Sequence, residues 1–274
     1  MRFAPSLCCL RPLLKDCFAR GFCDHRCRLR LAIGNIADAG STDVGDCMRL
    51  GEIEMSLRDA GLTPRGAFHP AAGDGVPPPA ADTPARTVVL AGNAGPQMWQ
   101  AFDAARAEEN MTLDEWSARV LTGLAARLGA RAVFPFERPY LPFQRWAMRA
   151  EPCHASPLGL LIHPDYGLWH GYRGALVFAT EIGLPPPDHR GSPCASCADR
   201  PCLTACPAGA FDGSAYDVPA CARHLARMPE PACMDIGCLA RHACPVGRDY
   251  CYAPEQARFH MQAFLRNHHP DEPR

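Results

Sequence analysis

Lysine is almost absent from this sequence of 274 residues, and so are long apolar runs and any excess of one charge. Lys15 is the one lysine, and arginine supplies the remaining positive charge within a net charge of −1. This balance gives no electrostatic sign of a surface for nucleic acid or for an anionic membrane. No stretch approaches the roughly 18 apolar residues of a membrane span. We therefore expect neither a strong nucleic-acid footprint nor a membrane partner.

Nucleotide-binding fingerprints are missing as well. Residues 87–91 are predicted to form a buried strand, 92–96 a turn, and 97–108 a helix. A strand, a glycine turn and a helix can present backbone amides to a phosphate. Neither the phosphate-loop pattern nor the dinucleotide pattern is complete there, so the sequence favours a plain strand-to-helix connection.

Cysteine, by contrast, is abundant and concentrated. Nine of the sixteen cysteines lie in residues 194–251, and two of the nine are followed directly by proline. Four soft thiolates suit one [4Fe–4S] cluster, and in two-cluster ferredoxins the cysteine before proline binds the other cluster. We predict that eight of these thiols hold two [4Fe–4S] clusters. The nine are Cys194, Cys197, Cys202, Cys206, Cys221, Cys233, Cys238, Cys244 and Cys251.

Other uses of these cysteines stay open. Zinc also binds four cysteines presented in Cys-x-x-Cys turns, and disulfides staple small secreted domains. The repeated Cys-Pro and the count of eight favour iron–sulfur over both. Cys251, the ninth, is expected to be a spare cysteine, and Cys153 a buried thiol.

Further segments accompany the cysteines. They are Gly159-Leu160-Leu161-Ile162-His163-Pro164-Asp165-Tyr166-Gly167-Leu168-Trp169, then Gly174-Ala175-Leu176-Val177-Phe178, then Pro185-Pro186-Pro187, and Cys206-Pro207-Ala208-Gly209-Ala210. Together with the cysteines, they make residues 158–245 resemble the C-terminal half of epoxyqueuosine reductase. That family joins a corrinoid-binding domain to a double-cluster ferredoxin domain. The part 163–178 is also similar to vitamin B12-processing chaperones.

The resemblance implies a sorting of the ligands. The first cluster would be held by Cys194, Cys197, Cys202 and Cys244, and the second by Cys206, Cys221, Cys233 and Cys238. It also leaves a corrinoid open as a further cofactor. In that family a catalytic Asp precedes the glycine-rich match, whereas Phe134 falls nearest its place here, so the catalytic residues stay unknown.

Two histidines lie in the segment that leads into the cysteine region. His163 and His170 are the candidate cofactor-binding residues, because either could line a cofactor site. A histidine in an aromatic-rich loop more often bonds to the backbone, so this alternative stays open for both.

The fold class predicted from the sequence is α+β, with three regions. Residues 1–85 are expected to be a disordered or wrongly assigned N-terminal extension followed by a proline-rich linker. Residues 86–187 are expected to form a small mixed α/β domain resembling a truncated corrinoid-binding domain. Residues 188–267 would form a bacterial-ferredoxin-like domain with two clusters and a C-terminal helix.

Individual elements follow from apolar periodicity and from start and stop signals. Thr112 and Glu115 form a capping box, so a helix is predicted to start there and to end at Gly129. The other predicted helices are 56–60, 97–108, 143–150 and 255–266, and the predicted strands are 87–91, 131–134, 158–163 and 174–180.

The predicted function is electron transfer through two [4Fe–4S] clusters. Many unpaired thiols suit the reducing cytoplasm, and a redox partner or reductase must exist that the sequence does not name. One alternative is a corrinoid-dependent reductase related to epoxyqueuosine reductase. A second alternative is a zinc-bound structural or interaction module.

Overall fold

The computed structural model describes the backbone of residues 43–227 and 232–268 and the side chains from residue 50 onward. The predicted N-terminal extension up to residue 42 lies outside the described residues. The helices are α1 Asp43–Asp59, α2 Gln97–Glu109, α3 Leu113–Leu128, α4 Phe143–Ala150, α5 Pro201–Thr204, α6 Val218–Arg227, α7 Ala232–Ile236, α8 Leu239–His242 and α9 Pro254–Asn267. The strands are β1 Thr63–Phe68, β2 Thr87–Ala94, β3 Arg131–Val133, β4 His154–Ala155, β5 Leu161–Ile162 and β6 His170–Phe178.

An antiparallel sheet in the order β1-β2-β6-β3 forms the centre of the described fold. β2 and β6 are its inner strands, and all eight residues of β2 are buried. The short strands β4 and β5 pair separately as an antiparallel ribbon. Every pairing in the sheet is antiparallel, so the predicted α+β class is confirmed at the level of a mixed fold with a small antiparallel sheet.

Helices cover both faces of the sheet, which explains the unbroken apolar runs of its inner strands. Successive side chains of a strand point to opposite faces. Val89 and Leu176 therefore join the core under α1, α2 and α3. Val88 and Val177 join a second core that contains Trp146 of α4. A strand buried on both faces needs apolar residues at every position, as in parallel sheets.

The predicted helices of this region are confirmed, with small changes in their ends. The Thr112 hydroxyl accepts the backbone N–H of Glu115, whose carboxylate accepts the N–H of Thr112, which is the capping box that starts α3. Gly129 ends α3 with a left-handed backbone, φ 68°, a conformation that glycine adopts without a side-chain clash. The strand predicted over 158–163 is shorter in the structure, where it is β5. The strand predicted to begin at 174 begins four residues earlier, as β6.

The structure departs from the expected N-terminal extension over residues 43–68, which form a helix and a strand, whereas residues 71–86 hold neither an α-helix nor a strand of the sheet, as expected of the proline-rich linker. α1 runs from Asp43 to Asp59 instead of covering 56–60 alone, and β1 pairs with β2. Leu57 and Leu62 are buried in the main core. The buried apolar residues of this short polar segment, Ile53, Leu57 and Leu62, give little periodicity. Their burial depends on the sheet, which is distant in sequence.

A bulge in β1 changes the path of the strand at Arg65. The register between β1 and β2 shifts between Pro64 and Ala67, so that Arg65 and Gly66 form the irregular pair. Gly66 has φ 71°, and a Cβ there would clash with the backbone carbonyl of Ala150. Bulges bend a strand and change the direction of a side chain. This bulge accompanies an arginine that is fully buried, at 0% exposure.

The cysteine region consists of the short helices α5–α8, which turns join to one another. α9 packs against α7 and α6. It corresponds to the C-terminal helix predicted over 255–266. The ferredoxin-like character of residues 188–267 stays a prediction. Within the described ranges, no helix is both long enough and apolar enough to cross a membrane.

Candidate functional site

Four of the predicted ligands meet around one cavity. Cys194, Cys197, Cys202 and Cys244 all line it, and its other walls are mainly proline and aliphatic side chains. Cys244 is the most buried of the four, at 7% exposure. The structure therefore brings together thiols from two distant parts of the chain.

Local structure holds each of these thiols. The Ser192 hydroxyl accepts the N–H of Cys194 at 3.3 Å at the start of a 3-10 turn. Pro201 begins α5, which carries Cys202, and proline suits the first turn of a helix because its missing N–H would be unpaired there anyway. The N–H of Cys244 bonds to the carbonyl of Arg241 at the end of α8.

The electrostatics of these thiols reflect their proximity. Burial raises the pKa of Cys194, and the thiols of Cys244, Cys202 and Cys197 add to the effect. Burial likewise raises the pKa of Cys202, again with Cys244 and Cys197 contributing. Thiolates that repel one another in an apolar setting need a cation between them.

The remaining four predicted ligands influence one another in the same way. Burial raises the pKa of Cys238 to about 11, and Cys233 and Cys221 add to this. Burial also raises the pKa of Cys221, with Cys206 and Cys233 contributing. We call Cys194, Cys197, Cys202 and Cys244 the outer set and Cys206, Cys221, Cys233 and Cys238 the inner set. Cys206 and Cys238 of the inner set also pack against the apolar cluster that contains Cys244.

Side-chain chemistry in both sets fits iron–sulfur ligation, because each consists of four thiols with apolar surroundings. The described side chains, in residues 50–227 and 232–268, include no three from His, Cys, Asp or Glu that are placed closely enough to hold a single metal ion. Cys251 does not line the cavity of the outer set; burial raises its pKa, and it lies near Arg241 and Arg248. Cys153 is buried as predicted, and burial raises its pKa to about 11.

A second cavity, of about 350 Å³, lies beside the cysteine region. Leu168 lines it and also packs in the apolar cluster that contains Cys244. Arg241 lines it from α8, between Cys238 and Cys244 in sequence. The cavity and the cysteines therefore share a wall. The lining residues are Asn93, Met98, Leu113, Gln144, Leu160, Leu161, Leu168, His170, Gly171, Tyr172, Arg173, Arg241, Tyr252 and His260.

The two predicted histidines have different surroundings. His170 is among the residues that line this cavity, and His163 is not. His163 is buried, its Nδ1 accepts the N–H of Asp165 at 3.0 Å, and its ring stacks on Tyr166. Burial lowers the pKa of His163. The structure thus gives His163 the backbone bonding that the sequence left open, and it places His170 at the cavity.

A buried polar network holds His170. Both carboxylate oxygens of Glu151 accept from Arg65, with a shortest distance of 2.7 Å. Arg65 also donates to the Asn93 carbonyl at 2.8 Å, and its Nη2 lies 3.1 Å from Nδ1 of His170. Tyr172 donates to Glu151 at 2.8 Å. Burial opposes the charge of Arg65, but Glu151 outweighs burial and the pKa of Arg65 is raised.

Arg241 is held by aromatic rings and by the backbone. Its guanidinium lies 4.3 Å from the ring centroid of Trp169 and 4.5 Å from that of Tyr252. Its Nε donates to the carbonyl of Leu168 at 2.8 Å. A stacked guanidinium is weakly hydrated and keeps its charge, so the shared wall is positively charged.

Sequence reasoning missed Arg65, Glu151 and Arg241. Arg65 and Glu151 are separated by 86 positions, and neither belongs to a motif. Arg241 carried a weak signal, because it is a cation placed between two predicted ligands. Phe134 is buried and stacks on Phe136, with 5.2 Å between the ring centroids.

No protein-family model matches the chain, and no curated protein matches it. Among solved structures, it is similar to an epoxyqueuosine reductase bound to a tRNA-Tyr stem loop, at 15% identity and TM-score 0.46, covering 78% of this chain and 69% of that one. It is also similar to the enzyme from Bacillus subtilis, at 16% identity and TM-score 0.44, covering 75% and 67%. The Streptococcus thermophilus enzyme gives 16% identity and TM-score 0.42, covering 73% and 66%. Likenesses this weak assign neither a family nor an activity to this chain.

Proposed function

We propose that the chain is an iron–sulfur electron-transfer protein that carries two [4Fe–4S] clusters. The observation that carries the proposal is the meeting of Cys244 with Cys194, Cys197 and Cys202 around one cavity. Cys244 precedes a proline, and in two-cluster ferredoxins such a cysteine joins the other cluster's ligands. Local chain geometry alone would have kept Cys244 with Cys233 and Cys238.

In this proposal the outer set holds one cluster and the inner set, Cys206, Cys221, Cys233 and Cys238, holds the other. Such clusters, when bound, take up and release one electron at a time. Proline and aliphatic side chains line the cavity of the outer set, and of its four cysteines Cys244 is buried. The N–H of Ala210 points to Sγ of Cys206 at 3.4 Å, and such bonds to sulfur raise the reduction potential of a cluster.

The first experiment is anaerobic purification of the full chain with iron, sulfide and zinc quantified per polypeptide. We expect about eight irons and eight sulfides and a broad visible band that bleaches on reduction. Zinc without iron would reject electron transfer and leave a zinc-bound structural or interaction module.

Single variants test the ligand sets. Cys197→Ala is expected to lose about four irons, because the outer set then lacks one thiolate. Cys251→Ala is the matched control, since both thiols are partly exposed, and it should keep all the iron. Equal losses in the two variants would contradict the assignment.

A second candidate is a reductase in which the larger cavity holds the electron acceptor. The observation that favours it is the wall that Leu168 and Arg241 share between this cavity and the cysteines. The cavity of about 350 Å³ is at the low end for small-molecule sites. A whole corrinoid, with its macrocycle and nucleotide tail, exceeds it, so the residues fit a smaller acceptor better. Cobalamin added to the protein should therefore leave no tightly bound corrinoid absorbance.

We retain the division into a mixed α/β part, 86–187, and a cluster-binding part, 188–267, as part of this proposal. Electron transfer also requires a donor and an acceptor protein or molecule. Unpaired thiols and oxygen-sensitive clusters suit the reducing cytoplasm.

A further inference from the structure

The larger cavity has a marked chemical bias. Its lining includes two arginines and two histidines and, among the described residues, no Asp or Glu. Arg173 is already paired, because it donates to Asp114 and to the hydroxyl of Ser117. Arg241 has no carboxylate within ion-pair distance in the described part of the chain, and its recorded partners are a carbonyl and two rings. A charge without a counter-charge therefore faces the cavity.

The tautomer of His170 follows from its partner. Nδ1 of His170 lies 3.1 Å from Nη2 of Arg65. A guanidinium has only donors, so Nδ1 must accept, and a neutral imidazole then carries its proton on Nε2. Burial, followed by the charge of Arg65, lowers the pKa of His170 to about 2, which agrees with a neutral ring.

The resulting Nε2–H is a poorly satisfied donor. Nε2 of His170 is buried and forms no hydrogen bond of normal length and angle in the described structure, and the backbone of Leu161 is its nearest acceptor. Leaving a buried donor unpaired destabilises a protein, and native proteins rarely do so. His170 lines the cavity, although Nε2 itself is closed off from it, so a small shift of the ring would let a bound molecule supply a better acceptor.

Tyr252 adds a third donor at the same place. Its hydroxyl accepts a hydrogen bond from Asn93 at 2.8 Å and keeps its own proton to donate. Its ring stacks on Arg241. Donors from β6, from α8 and from the segment before α9 thus surround the same space.

We propose that this cavity binds a small molecule through an anionic oxygen, a carboxylate or a phosphate, that accepts hydrogen bonds from Nε2 of His170 and from Arg241. Leu161, Leu168 and Met98 would contact the apolar body of the molecule. This anion site adds to the proposed reductase function. Only the identification of the bound molecule as the electron acceptor rests on that function.

Three probes test the site on the full, cluster-loaded chain by calorimetry. Benzoate supplies a carboxylate with an apolar body, benzamide is its neutral counterpart, and inorganic phosphate is the second anion. We expect benzoate or phosphate to bind, and benzamide to bind at least about tenfold more weakly, since a charge-assisted hydrogen bond is worth this much. Equal binding of benzoate and benzamide, or no anion binding, would overturn the proposal.

Variants locate the binding. His170→Phe keeps a ring and removes the donor, and Arg241→Gln removes the charge. Each substitution should raise the dissociation constant of the anion about tenfold. Arg190→Gln is the control, because Arg190 is exposed, does not line the cavity and pairs with Asp165. Equal loss in Arg190→Gln would contradict the assigned site.

A spectroscopic measurement on the unaltered protein guards against variants that fold poorly. Nitrogen-15 spectra distinguish the two neutral tautomers, and His170 should show the Nε2–H form, with Nε2 shifting when the anion is added. The Nδ1–H form would overturn the proposal. Iron and sulfide in the same sample report the clusters separately, so loss of clusters with retained anion binding is distinguishable from the reverse.

Discussion

Replacing Arg65 with Met should destabilise the protein more than any surface charge change. Arg65 is fully buried, and Glu151, its bidentate partner, has a side chain only 9% exposed. Removing one member of a buried ion pair leaves the other charge without compensation in a medium that solvates it poorly. Glu151 would keep only Tyr172 as a close donor among its recorded partners.

The magnitude follows from this burial. Loss of one partner of a buried pair typically costs about 3–5 kcal/mol of unfolding free energy. The matched control, Arg190→Gln, removes a surface pair whose side chains are 48% and 49% exposed, and such pairs contribute about 0–1 kcal/mol. We expect a difference of at least roughly 2 kcal/mol between the two variants.

Urea unfolding of the full chain at constant cluster content measures this difference. The buried indoles of Trp146 and Trp169 report it by fluorescence. The double variant Arg65→Met with Glu151→Leu should cost less than the sum of the two single changes, by roughly 0.5–3 kcal/mol, because no charge is then left alone. Additive costs, or a cost for Arg65→Met no larger than that of the control, would refute the reasoning.

Two further predictions concern close packing and pH. Gly167→Ala should lose about 2 kcal/mol more stability than Gly159→Ala in the same urea assay. Both glycines have positive φ, but only a Cβ at Gly167 would clash with the carbonyl of Val246. Equal losses would show that backbone strain alone sets the cost. Burial, followed by the charges of Arg241 and Arg173, lowers the pKa of His260 to about 4. The unfolded chain then binds the proton first, so the contribution of His260 is complete above about pH 6.5 and falls by about 2 kcal/mol by pH 5. His260→Phe should lose less stability than the unaltered chain over this range, and identical pH slopes would contradict the assignment.

The sequence predicted those parts whose physics is local. The apolar residues 88–91 after Thr87 indicated a buried strand, and β2 is buried along its whole length. The capping box at Thr112 and the glycine after Leu128 gave the ends of α3. Each signal involves neighbours in sequence, so no knowledge of the tertiary fold was needed.

The sequence could not predict β1 or the polar network, because both depend on distant partners. An arginine between a proline and a glycine suggests an exposed turn, and only the bulge in β1 and the carboxylate of Glu151 make its burial favourable. The expected N-terminal extension differed from α1 and β1 for the same reason. The sequence indicated His170 as a candidate site residue. Its tautomer could be assigned only from the contact between Arg65 and Nδ1 in the structure.

The position of Arg241 connects the cysteines with the larger cavity. α8 is only four residues long, yet it separates Cys238 of the inner set from Cys244 of the outer set. The backbone of Arg241 contacts both Cys238 and Cys244, and in the proposed cluster-bound protein a positive charge on this helix would favour the reduced, more negative state of a cluster. The same guanidinium faces the cavity and stacks on Trp169. If both proposals hold, an anion bound there would partly neutralise Arg241 and make cluster reduction harder, and by linkage cluster reduction would weaken anion binding by the same factor.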